Sequence, residues 1–575
     1  MSQLIGYFSL DKTAARYSAF LTKIIPKPLY ELEIPHFHLR CAGLPETCLY
    51  HQLDEHSGFV VTGLGLNLKA EKCVPLATEH WIEILNVNEP VLSHINGHFA
   101  IVLWDATHIR FFSDSLGLRT IYFRENGPGI HFSSRADWLN QMVDSTEINT
   151  NTFGSHWLAF NGLSCDQALT TNSKRLGQGG FATFDKSGLK IKNVPWEYKS
   201  TGDSNEMKLT QSLISTINIE SIRQPSIGLS GGLDSRLLLS LTHKKDKSEF
   251  ATHVFGVAAH PDVVISKKIA DDFGLAHAHF PDINGDVDFV IDLAREYCCA
   301  TNLIAPASTA LRLGNYDQLN RHNKIMIDGG FGEIGRRQFL NRLKINLGNR
   351  LQHPDFTAVF RYFNLFRGNF FDTDFGHELQ KSAIIELQNV WQEMPQIREI
   401  GIDNFLDLFS VRTRLPNYYA YEQARLDAIV PNFMPFAQPD IVELLLNLPV
   451  SQRQNSSLFR QMIAKNNAQL NSFPLVKGST TYPFSYGTMA ARTWTAVKTK
   501  LNLAFVDTLH IDFLLALQDY ILGIIHSQST KQYPFINLNY LKKCAADFYS
   551  GDISRANELD WWLAFEFWRQ GNKIK

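Results

Sequence analysis

Residues 227–235 read Ile-Gly-Leu-Ser-Gly-Gly-Leu-Asp-Ser, a glycine-rich turn between an apolar run and a helix-like segment. The pattern predicts a strand over Ser226–Leu229 leading in and a helix over Leu233–His243 leading out. In that setting Gly231 and Gly232 let the backbone approach a phosphate closely. Backbone N–H groups at the helix start favour an anion there, and Ser230 and Ser235 add hydroxyl donors. Asp234 then faces a bound polyphosphate, an arrangement that needs Mg²⁺ to bridge the two. No Gly-Lys-Ser/Thr follows, so this is not the Walker pattern. Its form suits ATP cleavage to pyrophosphate, with AMP left on the substrate. Around the turn, strands at Ala251–Val257 and Lys324–Ile327 alternate with a helix at Val263–Phe273. That alternation predicts a parallel sheet with crossover helices.

The remainder of the 575-residue chain has a different texture. Its first third predicts short strands joined by turns: Phe99–Trp104, Ile109–Phe112, Thr120–Phe123, Ile130–Phe132, Phe181–Phe184 and Leu189–Val194. Residues 196–208 turn polar and aperiodic, which marks a domain boundary and predicts units of 1–195 and 209–575. Beyond about residue 340 the chain reads as mainly helical. Net charge is -2 with no basic stripe, so nucleic acid is not the expected partner. The seven cysteines form no CxxC pair, which points to buried free thiols and a reducing cytoplasm rather than a disulfide or zinc framework. The N-terminus lacks signal-peptide character. The most membrane-like stretch, Ile511–Ile525, contains Asp512 and Asp519 and is too short to span, so it is expected to be a buried amphipathic helix.

The Ser-x-Gly-Gly-x-Asp-Ser loop resembles that of the ATP pyrophosphatase domain of asparagine synthetases and related ligases, and the resemblance runs along nearly the whole chain. Met1-Ser2-Gln3-Leu4-Ile5-Gly6-Tyr7-Phe8 is similar to the start of a class II glutamine amidotransferase domain. Asn96–Asp105 and Asp114–Tyr122 resemble two later segments of that domain. Asp328-Gly329-Gly330-Phe331-Gly332-Glu333 resembles the family's second acidic motif, and Pro435–Glu443 its Pro-Phe-x-Asp-like segment. Lys477-Gly478 resembles the late lysine segment.

The resemblance implies an α/β chain: an Ntn-hydrolase-like αββα sandwich, then a doubly wound parallel-sheet ATP pyrophosphatase domain with a helical C-terminal part. It implies ATP contacts at Leu229, Ser230, Gly231, Gly232, Asp234, Ser235, Val254 and Gly329. Mg²⁺ would be held by Asp234 together with Glu333 or Asp328. Lys477 would balance charge in the tetrahedral intermediate formed when an amine attacks an acyl-adenylate.

Three departures matter. Ser2 replaces the family's nucleophilic cysteine, so the first domain is expected to be structural. The family's glutamate before Pro435 is missing, which leaves Tyr418, Tyr421, Glu422 and Asp427 as candidates for the general base. Arg414, Glu422, Arg425 and Asp427 also fit a paired polar helix face. Arg336 and Arg337 would either clamp an anion or merely begin a helix. The expected activity is an AMP-forming carbon–nitrogen ligase acting on a small-molecule or peptide carboxylate. Lactam or macrolactam closure ranks first, as in lasso-peptide cyclases and β-lactam synthetases, with a leader-processing protease as partner in the peptide case. Amidation of a small acid or sugar acid, a non-catalytic nucleotide-binding homologue and a tRNA-modifying ligase are the alternatives. No membrane partner is expected.

Overall fold

A computed structural model describes residues 3–69, 71–87, 90–160, 162–164, 166–200, 205–242, 246–365 and 367–575. Ser2 and Cys165 lie outside these. The first part of the chain makes two antiparallel sheets. One contains, in spatial order, Lys174–Arg175, Tyr122–Asn126, Gly129–Ser133, Gln3–Ser9, Phe37–Ala42 and Tyr30–Ile34. The other runs Gly188–Lys192, Phe181–Asp185, Ile109–Ser113, Asn96–Trp104, Gly58–Leu68 and Cys48–Gln52, with Cys73–Pro75 paired to Gly58–Leu68. Leu4, Phe8 and Phe37 from the first sheet and Val60, Val102 and Phe111 from the second share one core. On the outer faces, Leu21 of helix Ser18–Ile24 packs on Ile5, and Trp81 of helix Thr78–Leu85 packs on Phe59 and Ile101. The layers are therefore helix, sheet, sheet, helix.

The second architecture is a five-stranded parallel sheet ordered His277–Phe280, Ala251–Phe255, Gln224–Gly228, Lys324–Ile327 and Asn432–Phe433. Both faces are covered. Ile325 and Ile327 point into the main core with Ile227, while Met326 points to the other side with Phe280, Tyr316 and Leu426. Such two-sided burial explains why these strands read as short apolar runs without alternation. After Gln224–Gly228 the chain builds outward through Ala251–Phe255 to His277–Phe280. It then crosses back to lay Lys324–Ile327 on the opposite side. The winding direction therefore reverses between Gln224–Gly228 and Lys324–Ile327, and a crevice opens at their carboxyl ends.

Element ends differ from the sequence expectation by a few residues. The helix after the loop is Leu233–Ser240. One difference is larger. Ile511–Ile525 is not one helix but two, Leu509–Ala516 and Gln518–His526, bent by 66°; Leu514, Ile521 and Ile525 are buried. Among the described residues no single helix is long and apolar enough to cross a membrane. The six described cysteines are free and buried.

Candidate functional site

The loop leaves the sheet at the crevice. Gly232 caps helix Leu233–Ser240 with extended backbone, φ -79° and ψ 171°, and no side chain caps that end. The loop donors are instead satisfied locally. Ser230 N–H donates to Ser235 Oγ at 3.1 Å, Gly232 N–H to Ser230 Oγ at 3.1 Å, and Gly231 N–H to Asp262 Oδ1 at 2.7 Å. Two serine hydroxyls and one carboxylate thus occupy donors that an incoming phosphate would take over. Asp262 stands in the first turn of helix Pro261–Phe273, and burial raises its pKa. It was missed in the sequence; the helix-start signal Pro261-Asp262 was the available clue.

Asp234 points back across the crevice. Its Oδ2 accepts from Arg336 Nη2 at 2.6 Å, whereas its Oδ1 is buried without a hydrogen-bond partner. Burial pushes its pKa up to about 7, opposed by Arg336 and reinforced by Glu333. Gly332 makes the room: a Cβ there would lie 2.3 Å from Asp234 Cγ. The neighbouring strand supplies the second acid. Asp328 Oδ1 accepts from Gly330 N–H at 2.9 Å and Oδ2 from Gln423 Nε2 at 2.6 Å. Burial raises the pKa of Asp328 too. A Cβ on Gly329 would touch Ser235 N at 3.3 Å, so the two strand ends meet backbone to backbone. Between Asp328 and Arg336 the chain is strained, because Phe331, buried against Phe339 and Tyr419, takes φ 67°. A bulky residue in that region costs about 1–3 kcal/mol.

Two further elements close over the crevice. Hairpin Leu475–Lys477/Thr480–Tyr482 docks on the loop through Val476 N–H to Gly231 O at 2.9 Å. A Cβ on Gly231 would sit 2.1 Å from Val476 Cγ2. Lys477 is the exposed end of that strand; partial withdrawal from water, then Arg492 and Arg336, lower its pKa. On the other wall, Leu415–Tyr419 forms a π-helical turn after helix Ile397–Arg414, a feature frequent at functional sites. It presents Tyr418, with the Arg414 guanidinium 5.1 Å from its ring centroid. Burial raises the Tyr418 pKa, Arg414 lowers it, and Glu422, Glu333 and Asp328 raise it further.

Asp234, Asp328, Glu333, Tyr418 and Lys477 therefore share one electrostatic neighbourhood. Other candidates sit elsewhere or are already committed. Glu422 holds Arg425 at 2.7 and 3.0 Å, and Arg425 in turn donates to Leu313 O. Asp427 is a fully buried partner of Arg119. Tyr421 lies beneath Arg175 and near Tyr122. Arg336 lies on Asp234, whereas Arg337 is spent on Asp403 and Asp407. Leu229 and Val254 are buried in or beside the sheet, with Leu229 N–H on His253 O at 2.8 Å.

An all-carboxylate oxygen set suits Mg²⁺, which binds through one or two protein acids plus phosphate and water. The orphaned Oδ1 of Asp234 fits that role. Among the described residues, only Glu31, Glu33 and His38 bring three ligand atoms within 4.8 Å of one another. They stand on the antiparallel sandwich, where Arg40 already holds Glu31.

No family model and no curated protein matches this chain. Among solved structures, the allosteric regulatory enzyme of purine biosynthesis is 11% identical, with 40% of this chain and 60% of that chain covered and a TM-score of 0.23. The glutamine phosphoribosylpyrophosphate (PRPP) amidotransferase from B. subtilis, complexed with ADP and GMP, is also 11% identical, with 60% of this chain and 72% of that chain covered and a TM-score of 0.21. The chain thus spans 60% of the length of the first of these. Likeness at this level carries nothing about chemistry, and the site rests on its own residues.

Proposed function

We propose that this chain is an ATP-dependent, amide-forming ligase that activates a carboxylate as an acyl-adenylate. The observation that carries the reading is the glycine loop at the reversal of the sheet, where Asp234 opens the helix after one strand, Asp328 follows the adjacent parallel strand, and Gly329 packs against the Asp234–Ser235 backbone. Loop N–H groups and the Ser230 and Ser235 hydroxyls bind the polyphosphate. Asp234, with Asp328 or Glu333, would hold Mg²⁺, which supplies charge neutralisation on the transferring phosphate. Arg336 would turn from Asp234 toward pyrophosphate as it forms, exchanging one anionic partner for another. The hairpin excludes water from the loop, and Lys477 offers positive charge where the amine attacks the adenylate carbonyl. Its lowered pKa fits a site crowded by arginines. Tyr418, beside Arg414, is the remaining proton-handling group, since Glu422 is neutralised by Arg425. The nitrogen comes from the substrate itself in this reading, which makes lactam or macrolactam closure the reaction. Glutamine-dependent amidation would instead require Ser2 to act as the nucleophile.

One observation favours a second reading, that of a nucleotide-binding homologue without chemistry: Arg336 already occupies Asp234. Pyrophosphate release separates the two. The wild-type chain is expected to release pyrophosphate from Mg·ATP with its carboxylate substrate, and Asp234→Asn is expected to lose that by roughly a hundredfold or more. Undiminished release in Asp234→Asn would refute the metal role. ATP binding with no release by the wild type, across carboxylate and peptide pools, would establish the second reading.

A further inference from the structure

Between Glu443 and Asp507 the sequence has no Asp or Glu but seven Lys and Arg. Two of these cations are answered by acids elsewhere: Arg453 by Asp407 and Lys465 by Glu206. Arg460, Lys477, Arg492, Lys498 and Lys500 have no carboxylate partner among the described residues. A chain with a net charge of only -2 has thus gathered positive charge on the rim of the phosphate-loop crevice, close enough for Arg492 to depress the Lys477 pKa.

The same segment is conspicuously apolar where it meets water. Helix Thr488–Lys500 buries only Ala491. Trp494, Val497 and Leu501 recur at helical spacing along one side of the helix and its end. They are 39%, 47% and 62% exposed, and Leu503 and Val506 continue the stripe at 64% and 72%. It is held through buried Ala491, through Lys498 Nζ to Thr481 O at 2.9 Å, and by Tyr486 edge-on to Trp494. Helices of this length normally draw their stability from a buried face, and this one leaves its apolar face open. Beside it runs an open groove of about 580 Å³ whose lining also comes wholly from the acid-free segment, including Pro474, Pro483 and Phe484. Its one charged wall residue, Arg460, lies 5.2 Å from the Phe484 ring centroid.

We infer that this face is a docking surface for a peptide segment rich in acidic and apolar residues. Its apolar side chains would cover the Trp494–Leu501 stripe and the Phe484 groove. Its carboxylates would meet Arg492, Lys498 and Lys500. Interleaved aliphatic side chains favour a peptide over RNA, which asks for a denser basic surface. Position on the rim of the crevice favours a peptide over a lipid surface, because a bilayer there would cap the site. The inference deepens the ligase reading, on which it rests only in taking the docked peptide as substrate: a face beside Lys477 would deliver a peptide carboxylate to the adenylation site.

The test uses the full chain without nucleotide. Fluorescence anisotropy would follow a fluorescein-labelled amphipathic peptide of Leu, Ala and Glu, with a twin carrying Lys for Glu. The acidic peptide is expected to bind, its affinity falling as salt is raised, and the Lys twin to bind at least about tenfold more weakly. The double variant Arg492→Glu/Lys500→Glu is expected to lose about tenfold for the acidic peptide. Leu501→Ser/Val506→Ser should lose affinity for both peptides. All four positions are exposed, so unchanged thermal melting would show that the fold survives. Equal binding of the two peptides, or unchanged affinity in the charge-reversal variant, would overturn the inference. So would a preference for an RNA oligonucleotide or for anionic phosphatidylglycerol vesicles over the acidic peptide. Asp234→Asn is expected to bind the peptide normally, so loss of pyrophosphate chemistry and loss of docking are read separately.

Discussion

Two buried aspartates show how the same residue type is put to different use. Asp234 keeps one oxygen without a hydrogen-bond partner, close against Gly332. Asp560, in helix Ala556–Gly571, has both oxygens answered, Oδ1 by Ser308 N–H at 3.0 Å and Oδ2 by Ser308 Oγ–H at 2.5 Å. Among the described residues no cation offsets its burial, which pushes its pKa up to about 7. The folded state therefore holds a proton that the unfolded chain releases near pH 4. Stability from this group is full below about pH 4 and declines as pH rises toward 7. Asparagine reproduces the neutral form, accepting from the amide and donating to the hydroxyl. Asp560→Asn is thus expected to melt with the parent at about pH 4 and above it at about pH 8; coincident melting curves at both pH values would show that the carboxyl carries no such burden. Asp234 was legible from its place in a motif. Asp560 was not, because nothing in a sequence says that Ser308 will face it from across the core.

Among elements, the glycine loop and the Lys477 hairpin work as one unit although more than two hundred residues separate them in sequence. The helix after the loop reaches across through Arg236, which donates to Phe473 O at 2.7 Å and Pro474 O at 2.9 Å. Gly231 closes the seam, since any Cβ there strikes Val476. Gly231→Ala is accordingly expected to push the hairpin off the loop. Amide hydrogen exchange should rise across Leu475–Tyr482, and Mg·ATP affinity should fall by about tenfold or more. Exchange unchanged from wild type would mean that the seam yields without opening. The strand–loop–helix unit was readable because periodicity, glycine and capping chemistry all act locally. The π-helical turn at Leu415–Tyr419 and the break between Leu509–Ala516 and Gln518–His526 had no such signature, because tertiary packing rather than propensity places them. The acid-free run before Asp507 stood in the sequence all along. Whole-chain charge concealed it, and only the exposure of Trp494 and its neighbours gives it meaning.

At the scale of the molecule, the sandwich and the parallel sheet are joined by buried polar contacts at motif positions. Met434 N–H donates to His98 Nε2 at 3.2 Å, Gly97 N–H to Gln438 Oε1 at 2.6 Å, and Asn96 Nδ2 to Asp440 Oδ2 at 2.7 Å. His98 can accept because burial drops its pKa to about 3 and keeps the ring neutral. The deepest link is Arg119, on the sandwich side, which grips Asp427 with two bonds of 2.6 and 2.8 Å; both side chains are essentially out of water. Burial alone would raise the Asp427 pKa, but neighbouring positive charge, Arg119 foremost, overrides it and lowers the pKa. Asn432 Nδ2 adds a bond at 2.7 Å at the edge of the parallel sheet. The sequence placed Asp427 among possible bases, since pattern alone cannot distinguish a reactive acid from one already matched across an interface. Replacing only one member of a buried pair removes the main counter-charge of the other, at a cost of about 3–5 kcal/mol, whereas replacing both with apolar groups is far milder. Arg119→Met is therefore expected to lower the denaturation midpoint sharply, and Arg119→Met/Asp427→Leu to recover much of that loss. A helix from the first part, Thr150–Leu158, also packs into the C-terminal core, with Gly154 against the Leu379 backbone. The parent should accordingly unfold in one transition. Two separated transitions, or an Arg119→Met variant within about 1 kcal/mol of the parent, would mean that the sandwich and the parallel-sheet part stand independently, and that the pair contributes no more than a surface salt bridge.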